Sequence, residues 1–118
     1  MTGDRPPLTP GVYRMADAAT VAQRLASSGW DARPVGAART TPALYASLAA
    51  ALALPSWFGA NLDALWDCLA DLDRPTALVL AGWDGFARAQ PRQARRLLEL
   101  FAERAAQDPP FVVVLAAG

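Results

Sequence analysis

Three aspartates, Asp63, Asp67 and Asp71, recur every fourth residue in the segment NLDALWDCLADLD, residues 61–73. At about 100° per residue they fall along one stripe of a helix. Leu62, Leu65, Leu69 and Leu72 form a second stripe with Cys68 at its margin, and Trp66 lies between the two, beside Asp63 and Asp67. Like charges at i, i+4 destabilise a helix by roughly 0.2–0.5 kcal/mol per pair. Asp63 recovers some of this at the helix N-terminus, whereas Asp67 and Asp71 lie too far along the helix to do so. Such a row has three uses: a solvated face, a cradle for a divalent cation in hydrolysis, or a surface for a cationic partner.

The neighbouring residues favour the third use. Trp57 and Phe58 crowd the loop just before the segment, and Gly59 is expected to let the backbone turn sharply there. Rings beside carboxylates suit a cationic partner, because the acids meet arginines while the rings supply rigid area; Phe58 is also a candidate for the core. A magnesium-dependent hydrolase is the weaker alternative, since no lysine, histidine or phosphate-cradling glycine loop accompanies the acids. The chain has no histidine, which removes the commonest general base and the commonest transition-metal ligand. Cys68 is the lone cysteine; it flanks the leucine stripe and reads as a small buried apolar group. No catalytic residue, metal or cofactor is expected.

The elements that must position this segment follow from pattern and punctuation. Residues 1–10 are rich in proline and read as a flexible leader, and residues 11–118 as a single domain. Residues 11–15 suit a short strand. A helix capped by Asp17 or Thr20 runs to about Ser28, where Ser28-Gly29 stops it. Residues 30–37 are weakly strand-like, and Pro34 implies an edge or an entry position. Thr41 as N-cap and Pro42 at the first helical position open a helix that Pro55 ends. Asn61 then starts the acidic helix, expected to reach Leu72. Residues 77–81 form an apolar strand, and a short helical turn holds Phe86, with Trp83 and Phe86 in the core. A helix from Pro91 carries Ala94, Leu97, Leu98, Phe101 and Ala105 on its apolar stripe, and Asp108-Pro109-Pro110 terminates it. Residues 111–115 form the last strand. Strands apolar at every position and alternating with helices predict an α/β fold, with a three- or four-stranded, mainly parallel sheet flanked by helices.

Charge narrows the partners. The 118 residues carry a formal net charge of zero, and all eleven cationic residues are arginines. Arg88, Arg92, Arg95, Arg96 and Arg104 are expected to form a solvated helix face, with Glu99 pairing to Arg95 or Arg96, so direct nucleic-acid binding is not expected. No apolar run suits a membrane helix and no N-terminal segment suits a secretion signal, so no membrane contact and a cytoplasmic location are expected.

The run LPSWFGANLDALWDCL, residues 54–69, resembles the signature of the barstar family: leucine-proline, an aromatic pair, glycine, then N-L-D-A-L-W-D-C-L. A looser similarity extends from about Val35 to the C-terminus and leaves out the first thirty or so residues. The resemblance implies a barstar-like fold and an intracellular inhibitor, monomeric when free, whose helix and preceding loop plug the active site of a basic microbial ribonuclease of the barnase type. Carried over by position, it implies that Asp63 and Asp67 mimic substrate phosphates, with Asp67 as the principal plug. Trp66 would pack at the interface, Trp57 would supply an aromatic contact, and Glu103 an additional one. The binding face is expected to span residues 56–71, including Gly59, Asn61 and Asp71. Ala60 stands where an acidic side chain would add another carboxylate. With the balanced charge, this keeps open an immunity protein or antitoxin directed at a different nuclease or toxin domain.

Overall fold

The computed structural model describes residues 9–55 and 59–118. Trp57, Phe58 and all but the last two residues of the expected leader lie outside the described residues. Four strands, β1 (Gly11–Met15), β2 (Asp31–Val35), β3 (Thr76–Leu80) and β4 (Phe111–Ala116), form one sheet in the order β1-β4-β3-β2, every pairing parallel. Five helices accompany them: α1 (Ala18–Ser27), α2 (Thr41–Leu52), α3 (Leu62–Ala70), α4 (Trp83–Ala89) and α5 (Pro91–Ala105). This is the expected α/β class, with the short strand at residues 11–15 present. Pro34 has no N–H to donate to a second neighbour, and β2 is an edge strand paired only to β3.

The two central strands are buried at every position, and residue parity divides their side chains between two cores. Ala77, Val79, Val112 and Val114 pack with Leu25 and Trp30 beneath α1. Leu78, Leu80, Phe111, Val113 and Leu115 face the other way, towards Leu44 and Leu48 of α2, Leu65 and Leu69 of α3, Trp83 and Phe86 of α4, and Leu97 and Phe101 of α5. The acidic helix is therefore held by two leucines on the larger core.

Local signals set the ends of the helices. The Asp17 carboxylate accepts the Thr20 N–H and caps α1. Gly29, at φ 98°, closes it as the Trp30 N–H donates to the Leu25 carbonyl. Three expected boundaries are corrected. The N-cap of α2 is Thr40, not Thr41; its hydroxyl accepts the Ala43 N–H at 3.2 Å, and Thr41 is already helical. The helix also stops at Leu52, before Pro55 can act, because Ala53 turns left-handed at φ 53° and the Leu54 N–H returns to the Ala49 carbonyl. Helix α3 ends at Ala70 with Asp71 as its C-cap, two residues short of Leu72.

Arg104 departs from the expected solvated arginine face. It is only 1% exposed, on the same buried stripe as Ala94, Leu97 and Phe101. Its Nε donates to the Leu69 carbonyl at 2.7 Å, near the C-terminus of α3. Nη1 donates to the carbonyls of Gln107 (3.0 Å) and Pro109 (3.1 Å), and the guanidinium lies 5.4 Å from the Phe111 ring centroid. No carboxylate pairs with it among the described residues, and burial lowers its pKa despite the field of Asp108. Arg33 acts similarly from β2: it grips Asp31 through two hydrogen bonds, which raise its pKa, and donates to the Ala51 carbonyl near the end of α2 at 3.0 Å.

Two consequences are measurable by urea unfolding. Arg104→Ala strands three carbonyls and opens a cavity, so it should destabilise the fold by about 3 kcal/mol or more. Arg104→Lys should recover only part of this, because an ammonium lacks the guanidinium fork. Gly82 adopts φ +60°, and a Cβ there would sit 2.8 Å from the Ala37 Cβ. Gly82→Ala should cost roughly 1–2 kcal/mol for the left-handed backbone, plus the clash. Adding Ala37→Gly should remove the clash component alone.

Candidate partner-binding face

Asn61 is the hinge of the site. Its Oδ1 accepts the Ala64 N–H at 2.8 Å and its Nδ2 donates to the Gly59 carbonyl at 3.1 Å, so one side chain caps α3 and ties down the approaching loop. Gly59, expected to allow a sharp turn, does not itself adopt a left-handed backbone. That conformation belongs to Ala60, at φ 50°. Gly59 contributes space, because a Cβ at that position would lie 3.1 Å from the Asn61 Nδ2.

Asp63 lies in the first turn of α3, where the unsatisfied N–H groups favour a negative charge. Asp63, Asp67 and Asp71 are exposed, and Trp66 is partly buried. Asp71, as the C-cap, places its carboxylate at the negative end of the helix dipole, an unfavourable position. Burial chiefly, then Asp71 and Asp67, push the Cys68 thiol above its ordinary pKa, so both acids lie within electrostatic reach of that sulfur. Cys68 is accordingly a partly buried thiol, not an activated one.

Helices α3 and α5 enclose an open groove. Leu62, Asp63 and Trp66 form one wall; Arg96, Glu99, Leu100 and Glu103 form the other. The α5 residues follow i, i+3, i+4, i+7, so a single helical stripe supplies that wall. A second hollow, towards the start of α2, shares Leu62, Asp63 and Arg96 and adds Thr41, Tyr45, Ala60, Asn61 and Gln93. Asp63, Trp66 and Glu103 thus meet at one groove, with Asn61 next to it. Asp67 follows one turn after Asp63 on α3, outside the groove walls.

The charges here do not neutralise one another. Ion pairs among the described residues join Arg14 to Asp84, Arg33 to Asp31 and Arg74 to Asp73. Glu99 forms no pair with Arg95 or Arg96, contrary to expectation, although Arg96 lines the same groove. Among the described residues no group of three histidine, cysteine or carboxylate side chains is placed to hold a metal ion. No helix among them is long and apolar enough to cross a membrane. The sequence pattern pointed to the acids of this face but missed Arg96; its signal was the spacing to Glu103, i to i+7.

Cys68 offers a direct readout of the two acids. The pH profile of its alkylation by iodoacetamide should have a midpoint above that of an ordinary thiol. Asp71→Asn should lower that midpoint, and Asp67→Asn should lower it less. A midpoint unmoved by either change would show that neither carboxylate faces the thiol.

The site rests on elements from the end of β2 onwards, and a comparison with known families covers the same stretch. The family described as Barstar (barnase inhibitor) matches residues 35–116. With more than two thirds of its length matched, and with the sheet, helices and acidic α3 in place, the chain belongs to the barstar family.

Proposed function

We propose that this chain inhibits a basic microbial ribonuclease of the barnase type by setting α3 into its active-site cleft. The observation that carries the reading is the row of exposed carboxylates on α3, without ion-pair partners among the described residues, with Trp66 beside it and Glu103 across the groove. A ribonuclease cleft holds cations arranged to bind phosphates, and carboxylates at similar spacing occupy the same donors through charge-assisted hydrogen bonds. Asp67 is the principal plug and Asp63 the second contact. Trp66 supplies rigid apolar area, Glu103 extends the acidic contact from α5, Gly59, Asn61 and Asp71 border it, and Trp57 is assigned the aromatic contact that the family resemblance implies. Catalysis is no part of this role, and the family's members are inhibitors.

A second reading has its own support. Ala60 places a methyl group where an acid would extend the row, and its left-handed backbone, unusual for alanine, fixes the loop at that point. A loop shaped this way suits an immunity protein or antitoxin whose partner is a different nuclease or toxin domain.

The test is titration of a guanyl-preferring ribonuclease of the barnase type with the purified chain. Wild type should inhibit stoichiometrically. Asp67→Ala should weaken binding by at least about a hundredfold, because it leaves a cation of the nuclease buried and unpaired. The same substitution should leave unfolding free energy within about 0.5 kcal/mol of wild type, unchanged or slightly raised, because it relieves repulsion from Asp63 and Asp71. Severe unfolding of Asp67→Ala would contradict a partner-facing role. Failure of the wild type to inhibit would favour the second reading.

A further inference from the structure

Among the described residues Arg96 is the one cation lining the α3–α5 groove, and it also lines the adjoining hollow together with Asp63. Its guanidinium is paired with none of Asp63, Glu99 or Glu103, although all four residues line the same groove. The proposed contact face is therefore a mosaic: carboxylates on α3, then an exposed positive charge on α5, then Glu99 and Glu103 one and two turns further along.

A docked partner removes water from this groove. An arginine covered without a matching group keeps its desolvation cost and gains nothing in return. One facing a lysine or arginine is repelled as well. One facing a carboxylate gains a planar, bidentate, charge-assisted contact that a lysine could not reproduce. We infer that Arg96 selects the partner: the face accepts a nuclease whose cationic cleft is bordered, on the side met by α5, by a carboxylate, and discriminates against a cleft that is basic throughout. The inference rests on the inhibitor reading given above and adds the charge pattern that the partner must carry. Discrimination of this kind comes from a repulsive element placed beside attractive ones.

The experiment measures binding, by calorimetry, of the full chain to two probes. One is a guanyl-preferring ribonuclease of the barnase type. The other is the same enzyme with the carboxylates around its cleft rim changed to amides, which leaves the cleft basic throughout. Wild type, Arg96→Gln, Arg96→Glu and Asp67→Ala are compared. Wild type should bind the amide-rimmed enzyme at least tenfold more weakly than the natural one, whereas Arg96→Glu should lose nothing on that change. On the amide-rimmed enzyme Arg96→Glu should bind at least tenfold more tightly than wild type, with Arg96→Gln between them. Binding by Arg96→Glu where wild type binds neither probe would support the same selection. If wild type and both Arg96 variants bind each probe within twofold of one another while Asp67→Ala still loses affinity, Arg96 selects nothing and the inhibitor reading stands. If no form binds either probe, the inhibitor reading fails and this inference fails with it.

Discussion

The carbonyl groups at the end of a helix need donors, and α2 and α3, which precede and follow residues 53–61, carry no basic residue in their last turns. Arginines from elsewhere in the chain supply them. Arg33, on the edge strand, reaches Ala51 near the end of α2, and Arg104, on α5, reaches Leu69 near the end of α3. Arg104 carries the larger consequence. Its side chain is desolvated, one guanidinium nitrogen has no partner among the described residues, and its compensation is three carbonyls and the face of Phe111. A buried cation satisfied by carbonyls cannot shift without stranding them, so α3, α5 and the turn into β4 are fixed to one another. The groove between α3 and α5 has its walls set by that contact.

With its far end held by Arg104 and its near end by Asn61, α3 can carry a surface that suits a partner more than it suits the helix. Asp63 is favourably placed in the first turn, but Asp67 gains nothing from the dipole and Asp71 opposes it. What holds the helix is on its other side: Leu65 and Leu69 are fully buried, and each contributes roughly 1.5–3 kcal/mol. Those terms exceed the few tenths of a kcal/mol lost to each repulsive pair. The fold gains nothing from this locally unfavourable pattern, and the proposed inhibitory role accounts for it.

Much of this was legible in the sequence, for reasons that can be named. Strands apolar at every position imply burial on both faces, and both central strands have it. Pro34 restricted its strand to an edge, Asn61 marked a helix start and Pro91 another. The misses share a cause: each depends on something other than local residue type. Ala53 and Ala60 adopt left-handed conformations that alanine does not advertise. Thr40 and Thr41 are equally good caps, and only the path of the chain decides between them. Arg104 is the most instructive. Its spacing from Leu97 and Phe101 puts it on the buried stripe, but a cation there reads as solvated until its distant acceptors are known. Trp57 and Phe58, prominent in the sequence pattern, lie outside the described residues.

The same distinction between local and tertiary information applies to the face itself. Read along one helix, residues 63–71 form an acidic row; read across two packed helices, the row adjoins a groove that also holds an arginine. A formal net charge of zero gives little long-range attraction for a basic enzyme, and beyond a screening length of about 8 Å at physiological salt the remaining field fades. The discrimination inferred for Arg96 would therefore arise at contact, where water is excluded and individual charges act more strongly. At that range the order of charges matters more than their sum. Holding that order steady requires a fixed separation between α3 and α5, and the buried guanidinium of Arg104 provides it.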